Sequence, residues 1–233
     1  MLFLLVIILL APVTQNSPVR LNDDSDWWSI IKDEGKPGGI EVQVQKAETA
    51  ESNFKILGAD LGHQYPLAKL GRPTSVQRGD AATGRSQVCY ASQGGPTGDS
   101  HKVYLVFEDG EVTSAFYLFA GGPAWNGSDF CVKSPLVSRG TRTDSGLHLG
   151  MSIADVKRIL GKPSGAAPDR LVYSRLTNKK LSREDLEKLR TTSPGMTDED
   201  LQRNASWDVT VYIEARFSSD RMTYLAVMRA ETN

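Results

Sequence analysis

Hydrophobic and polar positions alternate most clearly in two long stretches, HKVYLVFEDGEVTSAFYLF at 101–119 and WDVTVYIEARFSSDRMTYLAVMRAE at 207–231. A two-residue period predicts strands, because successive side chains of an extended chain point to opposite faces. Asp109-Gly110 divides the first stretch into a hairpin, and residues 218–220 divide the second less emphatically. In KVYLVF, Val103, Leu105 and Phe107 fill one face while Tyr104 and Val106 keep the other face apolar too. Such a strand is expected to be covered, at least partly, on its second side. Shorter strands are predicted at 86–92 (SQVCYAS) and 170–175 (RLVYSR).

The period lengthens to that of a helix in LHLGMSIADVKRILGKPS, residues 147–164. Ser152 is a good N-cap, and Asp155 three residues later places negative charge at the positive end of the helix. Met151 and Val156 stand at the positions of a hydrophobic staple. Ile153, Val156, Ile159 and Leu160 form one apolar stripe, and Gly161 followed by Pro163 ends the helix.

The same order of elements occurs twice. LGADLGHQYPLAKLGRPTSV, SQVCYAS and the first hairpin are answered by LHLGMSIADVKRILGKPSGA, RLVYSR and the second hairpin, with Leu70-Gly71-Arg72-Pro73 matching Leu160-Gly161-Lys162-Pro163. Each unit reads as a short helical segment laid on a small antiparallel sheet. The expected fold is therefore α+β, two tandem modules of that kind. The boundaries that follow are an N-terminal extension 16–52, a first module 53–120, a linker 121–146 and a second module 147–233. Within the second module, 176–206 is a helical insertion with helix starts at Ser182-x-x-Asp185 and Thr197-x-x-Asp200.

Gly150-Met151-Ser152, Val156 and Ile159-Leu160-Gly161-Lys162-Pro163 together resemble the signature of the BamE (SmpA/OmlA) family, small bacterial envelope modules with two short helices against an antiparallel sheet. The tandem arrangement resembles the β-lactamase inhibitory proteins, which repeat a unit of this kind and work by binding. The resemblance implies a bacterial, secreted binding or envelope-assembly protein. It departs from the family in lacking a lipobox cysteine, and no contact residue of the inhibitory proteins carries over.

Composition adds the compartment. Leu2–Ala11 is an unbroken apolar run, too short to span a bilayer and the size of a signal-peptide core, so 1–15 is read as a signal peptide with an uncleaved anchor as the alternative. Secreted or periplasmic localisation follows, with membrane association only through that segment if it is uncleaved. The chain holds two cysteines, Cys89 and Cys131, and in an exported protein an even pair reads as a disulfide, two buried free thiols being the alternative. A net charge of −1 gives no global attraction for nucleic acid.

Candidate chemistry is sparse. His63, His101 and His148 lack metal-ligand spacing, the glycines of QGGPTGDS are not followed by the Lys-Ser/Thr of a phosphate loop, and no Gly-x-Ser-x-Gly elbow occurs. No catalytic, metal or cofactor site is assigned. The aromatics Tyr104, Tyr117, Phe119, Trp125, Tyr212 and Tyr224 are the candidate interaction surface, because rings near strand ends anchor protein interfaces. Burial in a core is the competing account of the same residues. The expected function is non-enzymatic binding of another protein. The alternatives are a small hydrolase pairing one of the histidines with an acid, and a periplasmic small-ligand-binding protein.

Overall fold

The two hairpins lie side by side in one sheet. The computed structural model describes residues 40–61, 67–73, 75–78, 84–93, 102–121, 131–203 and 205–232. Its strands are β1 (Gln45–Lys46), β2 (Lys55–Ile56), β3 (Ala59–Asp60), β4 (Val76–Arg78), β5 (Arg85–Ser92), β6 (Lys102–Asp109), β7 (Thr113–Gly121), β8 (Val132–Ser134), β9 (Gly165–Ala167), β10 (Arg170–Lys180), β11 (Ser206–Ser218) and β12 (Arg221–Thr232). The main sheet has ten strands in the order β1-β10-β11-β12-β7-β6-β5-β4, with β8 on β5 and β9 on β10, while β2 and β3 form a separate pair. The helices are α1 (Leu67–Leu70), α2 (Ile153–Leu160), α3 (Arg183–Thr192) and α4 (Asp198–Arg203).

This overturns the expected fold class. The chain is mostly β, not an α+β pair of small helix-on-sheet modules. The last strands of the two halves pair with each other, Tyr224–Ala230 of β12 running antiparallel to Thr113–Phe119 of β7. The physical reason lies in the alternation itself. Both strands are long and apolar on both faces, so an unpaired edge on either would expose backbone polar groups beside apolar rings. Joining them removes two edges and makes one core, in which Leu105, Phe107, Phe116 and Leu118 share a cluster with Ile213, Ala215, Leu225 and Val227.

The turns behave as the pattern predicted. Gly110 donates its amide to the Thr113 carbonyl (2.8 Å), closing the first hairpin. In the second, Ser219 and Asp220 both adopt left-handed conformations (φ 50° and 59°), the two-residue turn whose twist suits flanking strands. A bulge follows: Arg216 faces Tyr224 while Phe217 faces Met222, leaving Thr223 extra. Met222 and Leu225 thereby both reach the main core, and Tyr224 points to the opposite face.

Helix α2 matches its prediction in detail. The Ser152 hydroxyl accepts from the Asp155 amide (3.2 Å), Val156 and Leu160 are buried, and Gly161 takes φ +80°. Both predicted helix starts in the insertion are present, the Asp185 amide donating to Ser182 Oγ and the Asp200 amide to Thr197 Oγ1, each at 3.1 Å. The insertion is shorter than expected, because β10 continues to Lys180 and β11 begins at Ser206, so that only the tip is helical.

Cys89 and Cys131 form a disulfide, 42 residues apart in sequence with their Cα atoms 4.5 Å apart. It fastens the start of β8 beside the centre of β5, and it is compatible with an oxidising compartment. Replacing both cysteines by alanine is expected to cost about 2–4 kcal/mol, read as a lowered urea midpoint that reductant reproduces in the parent chain.

Candidate functional site

Strand alternation sorts the predicted surface residues onto one side of the sheet, the side facing away from α2. Three cross-strand rows run over it. The first is Arg170, Arg216, Tyr224, Phe119, Tyr104, Ala91; the second Val172, Glu214, Ala226, Tyr117, Val106, Cys89; the third Ser174, Tyr212, Met228, Ala115, Glu108, Gln87. Five of the six candidate aromatics therefore share one face; Trp125 lies outside the described residues.

They are not an open patch. Tyr104, Phe119, Tyr212 and Tyr224 are each 5 % exposed or less, and Tyr117 is half-buried. In the first row the Arg216 guanidinium sits 4.8 Å from the Tyr224 ring centroid, Tyr224 is 6.3 Å from Phe119, and Phe119 stacks on Tyr104 at 5.4 Å. The rings form a second core, as the alternative account of these residues had it.

Two carboxylates lie within that core, and the sequence reading passed over both. Glu214 is fully buried; Arg216 Nε donates to its Oε1 (2.6 Å), the Tyr212 hydroxyl to its Oε2 (3.2 Å), and Arg170 Nη1 stands 3.8 Å away. Glu108, on β6, accepts from Gln87 Nε2 (2.6 Å) and Arg85 Nη1 (3.2 Å). The signal was present in YIEARF, where Glu214 and Arg216 occupy the positions of one face in a strand that is apolar on the other. Each carboxylate meets the chain's own donors from neighbouring strand positions, which suits a tie between strands better than an acid or base open to substrate.

Burial is the main influence on the tyrosines. It pushes the hydroxyls of Tyr90 and Tyr173 up to about 12. Tyr117, Tyr212 and Tyr224 are pushed well above the ordinary tyrosine value, by burial first and then by the negative charge of Glu214 and, for Tyr117 and Tyr224, Glu108.

The histidines do not assemble a site among the described residues. His63 and His101 lie outside them. His148 places Nδ1 2.8 Å from the Gly146 carbonyl oxygen and forms no ion pair with a carboxylate among the described residues. Nor is any group of three or more His, Cys, Asp or Glu side chains placed to hold a metal ion among the described residues.

What does occupy this face is a piece of the chain itself. Residues 40–46 cross from the tyrosine side onto the β10 edge. Ile40 and Val42 pack against the cluster of Val172, Tyr212, Met228 and Ala115. Gln43 then donates its amide to the Ser164 carbonyl (3.0 Å), and Gln45 and Lys46 pair parallel to Arg175 and Leu176. The helix-ending motif holds this strap, Gln45 Nε2 donating to the Pro163 carbonyl (3.3 Å), and just past its end Arg175 Nη1 of β10 donates to the Glu48 carbonyl (3.2 Å). Gly165 leaves room for it, since a Cβ there would lie 2.6 Å from Ile40 Cγ2 and 2.7 Å from the Glu41 carbonyl oxygen.

Ser164 completes the seat. Its amide donates to the Val172 carbonyl (2.8 Å), while its hydroxyl accepts from the Ser174 amide (2.9 Å) and donates to the Ser174 carbonyl (3.0 Å). These bonds show that the even-numbered residues of β10 turn their backbone groups outward. Among the described residues no strand pairs with that outer edge beyond Leu176. Neither a family model, nor a curated protein, nor a solved structure matches this chain.

Two outcomes follow. Glu214→Gln strands two guanidiniums around a neutral amide and is expected to destabilise the fold by about 2–4 kcal/mol, measured by urea unfolding. In alkaline titration Tyr90, Tyr117, Tyr173, Tyr212 and Tyr224 should withhold their tyrosinate absorbance past pH 10, the ordinary value. Because their folded values are raised, the stability they confer is complete below pH 10 and is lost as pH rises through those values. Unfolding and tyrosinate formation should then coincide.

Proposed function

We propose that this chain is a non-enzymatic protein-binding module that works outside the cytoplasm, and that its docking surface is the outer edge of β10 together with the adjoining cluster of Val172, Tyr212 and Met228 that residues 40–46 cover. The observation that carries the reading is the seat just described, in which an extended segment adds its backbone to the edge and places two aliphatic side chains on the face. Strand addition of this kind is a recurrent mode of peptide recognition: main-chain hydrogen bonds supply affinity and alternate side chains supply specificity. A wide sheet tied by cross-strand ion pairs and a disulfide is a rigid platform for it, with little conformational entropy left to lose on binding. Export follows from the apolar N-terminal run and agrees with the disulfide. The resemblance of the Leu160-Gly161-Lys162-Pro163 region to the envelope modules points the same way.

The test is a photo-reactive amino acid placed at Lys180, on the open part of the β10 edge, or at Lys133, on β8 at the far side of the sheet. With the native envelope or extracellular fraction, Lys180 should give a discrete protein adduct and Lys133 should not. Failure of both positions to trap protein, alongside turnover of a small substrate by the purified chain, would sink the reading.

A further inference from the structure

We infer that residues 40–46 are a self-ligand covering the docking surface, and that the partner presents an extended segment with aliphatic side chains two residues apart, running parallel to β10. The inference rests on the β10 edge being the docking surface, and it names what that surface recognises and what keeps it closed.

Four features of the seat define the ligand. The parallel register of Gln45 with Arg175 and Lys46 with Leu176 sets the direction of the chain. The Ser164 carbonyl requires a backbone amide at the position of Gln43, which excludes proline there. Gly165 admits a backbone passing closer than any side chain at that position would allow. Val172, Tyr212 and Met228 accept two aliphatic groups at alternate positions, those of Ile40 and Val42. The intervening side chains are unconstrained: Glu41 and Gln43 are exposed, and Val44 is 56 % exposed, an apolar side chain left in water.

The strap is also held lightly for a segment with such well-placed ends. Ile40 and Val42 are half-buried, not buried, and only two residues of it pair as strand. Elements with few buried apolar contacts open at low free-energy cost. A partner segment that matches the pattern and extends past Leu176 would reach the outward groups of Asn178 and Lys180, which no strand among the described residues pairs with and the strap does not use. It would compete by length, and the strap would set the threshold.

The experiment uses the full chain carrying Ile40→Asp and Val42→Asp, with a fluorescent peptide of the sequence 40–48, IEVQVQKAE, as probe. The unblocked variant should bind the peptide at least about tenfold more tightly than the parent chain, whose seat is already filled. A peptide with aspartate at both aliphatic positions should not bind, and Gly165→Ala in the unblocked background should abolish binding. Equal affinity for parent and variant, or no binding by a variant that melts cooperatively with its disulfide intact, would overturn the inference. A second measurement needs no variant: saturating peptide should speed exchange of the Gln43 amide in the parent chain while Ser174 stays protected, and unchanged exchange would count against the self-ligand. A parent dimer that the peptide dissolves would overturn it as well, because the seat would then hold a second copy's strap. Peptide binding with no photo-adduct at either position and turnover of a small substrate would leave the strap a ligand of its own edge, but would sink the binding-module reading and the partner segment inferred from it. An adduct that the peptide cannot compete away would do the reverse.

Discussion

Pairing of β12 with β7 is the contact on which the rest of the architecture depends. Without it β4–β8 and β1 with β9–β12 would form two separate five-stranded sheets, each with a long apolar edge, a shape that aggregates unless something covers it. With it, six long strands run as one surface from β10 to β5, and the apolar alternation of each is satisfied on both faces. The consequence is asymmetry between those faces. Helix α2, Phe54, Ile56 and Leu61 pack on one of them. On the other, the described cover includes Cys131 against one group of side chains and Ile40 and Val42 against another.

That second face explains why acidic and basic groups sit deep in the sheet. A buried carboxylate is tolerated only with partners that satisfy it. Glu214 and Glu108 obtain theirs from residues two apart on their own strand, or opposite or diagonal on a neighbour: Arg216 and Tyr212 flank Glu214 on β11, Arg170 reaches it diagonally from β10, and Gln87 faces Glu108 from β5 with Arg85 diagonal to it. Two arginines meeting across strands, Arg170 and Arg216, would repel if the carboxylate between them were absent. The ion pairs thus depend on register, and a slip of one residue would turn every one of these charges into the opposite core.

Local features of the fold were legible in the sequence because they are decided by neighbours. The hairpin turns, the cap and stop of α2 and the two helix starts of the insertion all follow from residues within one turn of each other. Pairing of β12 with β7 joins residues more than a hundred positions apart, and no local signal distinguishes it from two closed modules. The apolar second face of KVYLVF was the available hint, since a small free-standing sheet has no use for it. For the candidate site the alternation was informative in part: it places Tyr104, Tyr117, Phe119, Tyr212 and Tyr224 on one face. What it could not reveal was the cover, because the strap joins the β10 edge through backbone groups that every sequence possesses and brings only two aliphatic side chains to the face.

The Leu160-Gly161-Lys162-Pro163 motif shows how one stretch can serve two levels of structure. Locally it ends α2, with Gly161 in the left-handed region and Pro163 barring a further turn. Ending the helix there leaves the Leu160 carbonyl without a helical partner, where Arg175 donates, and puts the Lys162 and Pro163 carbonyls in an extended exit, where Gln45 donates. A helix that ran on by one turn would consume the Leu160 carbonyl and displace Ser164 and Gly165 from the β10 edge. The seat for the strap therefore exists because the helix stops where it does. The helix stop thus marks the docking edge and supplies part of the seat, the Pro163 carbonyl that accepts from Gln45.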